Sequence, residues 1–363
     1  MPDRLQDQVR LQFDPSKETL KMTFVEDIAA DLRVPGNNLV VQYLVRKTRA
    51  ADRGSKARRS LGNLYALYVL AEDYINNRTS RFTELLARMR ELPFGTKLQN
   101  HPLDNRLNDE FSRQLGVEGE LLPVRAAIVG GQKARKISDS LLRHGDADPR
   151  AVATLIINVV DSYMEQITAN QSTTLGEIQA IESLEDLEEF FDTAFASNSD
   201  ARLFEIASYV LLAEFYRGQY IFIGRDPANV QQRSLNLFRT GRTNANDGGI
   251  DFVLQPLGRF FQVTETLDFK KYFLDFEKVN RYSMSFVIKV DTEHQEVISR
   301  IRRDASRSGQ YSDETIDMYM SLFDEVFTLK DLRHVAGNIS ATAVDRVKNQ
   351  LSLQFQLEYG LLD

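Results

Sequence analysis

One stretch of the chain sets an acid, an amide and a hydroxyl at spacings that suit a cation and a phosphate. It reads NANDGGIDFVLQPLGRFFQVTE and spans residues 244–265. Two apolar runs, Ile250–Leu254 and Arg259–Glu265, flank Gln255-Pro256-Leu257-Gly258, which carries proline second and glycine fourth, as a type I or II turn prefers. Counting back across that turn pairs Leu254 with Arg259, Val253 with Phe260, Phe252 with Phe261 and Asp251 with Gln262. Opposed side chains share a face, with β-carbons roughly 5 Å apart. Alternation adds Thr264 to the Asp251–Gln262 face and sends Phe252, Phe261, Val263 and Glu265 to the other. A bulge would exchange Gln262 for Glu265 as the neighbour of Asp251. A carboxylate beside an amide oxygen suits Mg2+, which takes oxygen ligands and keeps several waters. Gly248 and Gly249 would let a polyanion approach the backbone closely. The other reading of Asp-Gly-Gly is a common turn, with Asp251 only its cap.

The elements that must position this hairpin read as an α/β core. Ala201–Tyr216 has the pattern of a helix, with Asp200 available as its cap and Glu205 on a semi-apolar face. Tyr220–Ile223 reads as a short strand and residues 224–249 as irregular. After the hairpin come a helix over Thr266–Arg281, a strand over Ser283–Val290 and a mainly helical remainder. The N-terminal half reads as helical over Leu39–Leu92, Asp109–Leu115 and Asp148–Ile167, with a polar turn over Pro93–Leu107. The acidic stretch Leu175–Phe195 reads as one amphipathic helix. This gives a mainly helical region, residues 1–175, and a region 176–363 with the central mixed sheet and a helical C-terminal extension.

Composition narrows the chemistry. The 363 residues include no cysteine, which removes disulfides, thiolate zinc sites and thiol nucleophiles. His101, His144, His294 and His334 are scattered without ligand spacing, which argues against zinc or serine–histidine chemistry. No run approaches the ~18 apolar residues of a membrane span, and the first residues lack the apolar core of a signal peptide, so a cytoplasmic protein is expected. The net charge is −7, yet residues 46–59 hold seven bases against one acid and residues 300–307 four against one. Such patches can grip phosphate or be ordinary solvated faces. The phosphate-binding candidates are Arg46, Lys47, Arg49, Lys56, Arg58 and Arg59. Lys97, Gln99, Asn100 and Arg106 in the polar turn, and Arg242, Asn244 and Asn246 ahead of the hairpin, are types that read base edges. The polar turn also reads as helix caps, and the helical half as a dimer interface.

The hairpin resembles the PD-(D/E)XK nuclease superfamily, in the variant of its Mrr-type branch, where a DGGID-like entry leads to the site and glutamine replaces the second acid. The family pattern falls on Asp251, Gln262 and Thr264, and the glutamate on the preceding helix falls on Glu205. Thr264 stands where the family has lysine, a charge that Lys270 or Lys271 on the next helix is placed to supply. The resemblance implies a type II restriction endonuclease of a bacterial restriction–modification system that hydrolyses DNA phosphodiesters at a specific double-stranded sequence. It implies Mg2+ held by Asp251, Gln262 and the Val263 carbonyl, with Glu205 at a second metal or its water. A homodimer and a neighbouring DNA methyltransferase gene go with it. Two other readings remain at this point: a DNA-binding protein with a degenerate nuclease core, and a nuclease that requires modified nucleic acid.

Overall fold

The computed structural model describes residues 23–49, 55–240 and 249–361, except the side chains of Ser55, Lys56 and Lys97. The chain forms two compact units, residues up to 49 with 60–165, and residues 50–59 with 166–363. The division falls inside the 31-residue helix Pro149–Gln179, before the boundary expected at residue 175, and residues 50–59 group with the second unit.

In the first unit, the apolar helix Leu61–Ile75 buries Leu64, Tyr65, Leu67 and Leu70. Beside it lies a three-stranded antiparallel sheet in the order β1 (Ser80–Arg81), β3 (Gln132–Ile137), β2 (Val124–Val129). The β2–β3 hairpin is a departure from the helical reading of this half. Gly130 and Gly131 form its turn with φ of 56° and 75°, the two positive angles of a type I′ turn. Few of its residues are buried, so the strands lack the apolar alternation that marks a strand in sequence.

The second unit is built on a mixed five-stranded sheet ordered β10 (Phe323–Phe327), β9 (Met284–Ile288), β8 (Arg259–Thr264), β7 (Phe252–Gln255), β6 (Asn236–Arg239). β6, β7 and β8 run antiparallel in sequence, and β9 and β10 continue the sheet parallel to β8. Phe252, Leu254, Phe261 and Val287 enter one core with helices Ala201–Phe215, Leu329–Gly337 and Val344–Tyr359. Phe260, Met284, Phe286 and Ile288 enter the other with helices Phe269–Lys278, His294–Ser308 and Asp313–Met320. β9 is buried on both faces, which is why MSFVI is a near-continuous apolar run.

The register counted from the sequence is the one observed over Phe252–Leu254, and Asp251 N donates to Phe261 O at 2.8 Å. The turn is wider than expected: Gly258 N donates to Leu254 O at 3.0 Å, four residues back along the chain, and the Gln255–Pro256 peptide is cis. Residues 224–240 are not irregular. They hold β5 (Val230–Ser234), paired with β4 (Tyr220–Gly224) in a separate exposed ribbon, and then β6. β10 was also unforeseen, because its acids Asp324 and Glu325 interrupt the apolar pattern to meet Arg259 at 2.6 and 2.7 Å. The acidic stretch 175–195 is two elements, the end of helix Pro149–Gln179 and helix Leu184–Phe195, the latter opened by a Ser183–Asp186 capping box.

Candidate active site

Asp251 is clamped where the β7–β8 ladder opens. Its backbone carbonyl accepts from Thr240 N at 2.9 Å on the β6 side. Its carboxylate Oδ2 accepts from Val263 N at 2.7 Å on the β8 side. The side chain therefore takes a hydrogen bond that a backbone carbonyl would otherwise make, which fixes the carboxylate against the strand carrying Gln262.

Gln262 has one amide end engaged, Nε2 donating weakly to Val263 O at 3.3 Å, while its buried Oε1 has no hydrogen-bond partner. A buried acceptor left without a donor is costly, about 1–3 kcal/mol, and such groups are rare in folded proteins. Gly249 borders the same oxygen. Its φ is +72°, and a β-carbon there would lie 2.9 Å from Gln262 Oε1, so glycine serves both conformation and clearance.

Thr264 is buried at the end of β8, and the ammonium of Lys271 donates to its hydroxyl at 2.7 Å. Lys271 stands on helix Phe269–Lys278, which Asp268 caps through the backbone N of Lys270 at 3.0 Å. Lys270 instead lies 5.9 Å from the centre of the Phe269 ring. Glu265 points the other way and pairs with Lys289 at 3.0 Å, leaving Gln262 as the neighbour of Asp251.

Glu205 occupies a buried ion-pair cluster. One oxygen accepts from Arg202 and the other from Arg239 at 2.7 Å, and Arg239 continues to Glu358 at 2.8 Å. Burial, and after it the negative charge of Glu205, push the Asp251 carboxyl up to about 7 against the opposing pull of Val263 N–H, Arg202 and Arg239. Among the described residues, the carboxylates of Asp251, Glu205 and Glu358 thus gather around the guanidiniums of Arg202 and Arg239.

Among the described residues, no three His, Cys, Asp or Glu side chains form a metal-binding group. The donors present are one carboxylate and one unpartnered amide oxygen, a sparse set of the kind Mg2+ accepts while keeping waters. On that observation Asp251 and Gln262 fit Mg2+. Glu205 does not offer a free oxygen, since both are held by guanidinium groups. Arg202 was legible as the residue three before Glu205 on one helix, but Arg239 and Glu358 come from β6 and the last helix and carry no such signal.

The expected DNA contacts divide. In the first unit Lys47 is ion-paired with the buried Glu110 at 2.6 Å, so it is not a free phosphate ligand. Arg46 donates to Gln114 O, while Arg49, Gln99, Asn100 and Arg106 are exposed. In the second unit the Arg58 guanidinium stacks 4.3 Å from the Tyr359 ring centre and Arg59 is exposed. The side chains of Lys56 and Lys97, and all of Arg242, Asn244 and Asn246, lie outside the described residues.

No protein-family model matches the chain, and searches of curated proteins and of solved structures give no significant match.

Proposed function

We propose that the protein is a Mg2+-dependent endonuclease of the PD-(D/E)XK type that cuts double-stranded DNA at a specific sequence, as a type II restriction enzyme does. One observation carries the reading: the β7–β8 hairpin holds the Asp251 carboxylate beside an unpartnered Gln262 Oε1, and Lys271 supplies a cation at Thr264 on the Gln262 face of the same strand. Asp251 and Gln262 would hold the Mg2+, which would supply a bound water of lowered pKa and a positive charge against the phosphate. Asp251 is oriented for that task by Val263 N–H. Lys271 provides the charge that a threonine cannot, through or alongside the Thr264 hydroxyl. Glu205 acts on Asp251 through its charge and anchors the two arginines, without serving as a ligand.

A second reading, a DNA-binding protein with an inactive core, draws on the guanidinium groups that occupy Glu205. Incubating the purified protein with unmethylated phage DNA and Mg2+ separates the two. Discrete fragments, lost in Asp251→Ala while specific binding persists, support the nuclease; binding without cutting supports the second reading; normal cutting by Asp251→Ala sinks the site.

A further inference from the structure

We propose that the β2–β3 hairpin is a duplex-DNA-binding arm, its lysines on phosphates and its apolar tip in a groove. The choice of DNA as occupant rests on the nuclease reading. The rest comes from the hairpin itself.

Residues 121–138 contain four bases, Arg125, Lys133, Arg135 and Lys136, and no acid, in a chain of net charge −7. The structure divides those bases by task. Arg125 is held by Glu120 and by Gly119 O, and Arg135 by Asp104 at 2.6 Å, with its guanidinium 5.4 Å from the Phe82 ring centre. The side chains of Lys133 and Lys136 are exposed and, among the described residues, make no side-chain hydrogen bond or ion pair, although the charge of Lys136 is felt at Asp139. Lys133 pairs with Ile128 and Lys136 with Arg125, which places the two lysines on opposite faces of the ribbon.

A ribbon with an unpaired cation on each face suits a groove whose two walls are phosphate backbones, and the major groove is wide enough for two strands. At the tip, Ile128 is 76% and Val129 38% exposed, on either side of the pairing with Lys133 and Gln132. Apolar side chains carried on a basic scaffold can contact thymine methyls or wedge between base steps. A cleft of about 410 Å³ lies at the flank of the arm beside Lys133, its Arg135 paired with Asp104 and its Arg81 with Glu84.

The test is fluorescence anisotropy of the full chain with a labelled duplex in EDTA, where no cutting occurs, over a salt series. Lys133→Ala/Lys136→Ala should lose on the order of tenfold in affinity near 0.1 M salt and lower the log–log salt slope by about two. Ile128→Ala should weaken binding at an unchanged slope. All three residues are exposed, so unchanged Tm values verify folding. Wild-type affinity and slope in the lysine variant overturn the proposal, and so does loss confined to phosphatidylserine vesicles with duplex binding intact. If the lysine variant loses duplex binding while the wild-type chain cuts no DNA with Mg2+, the arm stands and the nuclease reading falls. If the wild-type chain cuts and the lysine variant binds as well as it does, the arm falls alone.

Discussion

At the scale of single residues, Asp251 sets activity against stability. Its carboxyl sits at about 7, above the 3.8 of an unstrained aspartate, because burial and Glu205 disfavour the charge. With the folded value raised, the folded chain keeps a proton that the unfolded chain has lost, so stability falls as pH rises from about 4 to 7. Asp251→Asn retains an acceptor for Val263 N–H and removes that charge. Calorimetry in EDTA at pH 8 should therefore show a higher Tm, by roughly 2–4 °C for each ~1 kcal/mol relieved, with little change at pH 4. An equal fall in Tm at both values would mean that the carboxylate is chiefly a structural anchor. Lys271 makes a different prediction. Lys271→Met keeps its length and loses its charge, so cleavage should slow about 10²–10³-fold with duplex affinity unchanged, and Lys271→Arg should recover part of the rate. A rate equal to wild type in Lys271→Met would remove Lys271 from the site.

At the scale of elements, the hairpin is readable because two local signals agree: two apolar runs of strand length, and a proline–glycine turn between them that fixes where counting begins. The helix bearing Glu205 was readable from Asp200, whose side chain caps Arg202 N at 3.0 Å. Neither signal reaches β6. That strand is four residues long, and its edge position leaves Phe238 half exposed, so no alternation marks it. Arg239 at its end nevertheless joins Glu205 to Glu358, a contact spanning the unit from one side of the sequence to the other. Removing one member of a buried ion pair leaves uncompensated charge. Arg239→Ala should therefore cost about 3 kcal/mol or more by denaturant titration, and Arg239→Leu with Glu205→Leu should cost less than Arg239→Ala alone. If the single and double variants lose the same stability, the cluster is not coupled.

At the scale of the whole molecule, an acidic chain gathers much of its positive charge into a few stretches of sequence, which favours local capture of a polyanion over coating by one. A palindromic target would require two-fold symmetry in the protein, so the proposed enzyme is expected as a homodimer. Light scattering behind size exclusion should give twice the 41.5 kDa chain mass, and a strictly monomeric species at all concentrations would argue against symmetric cutting. The wide turn of the β7–β8 hairpin has a practical consequence. Leu257 at its crest is 42% exposed and, six residues along an extended strand, lies within about 20 Å of Asp251. Because the chain contains no cysteine, Leu257→Cys would create its single thiol. A fluorophore attached there would report binding near Asp251 from a position that takes no part in the chemistry.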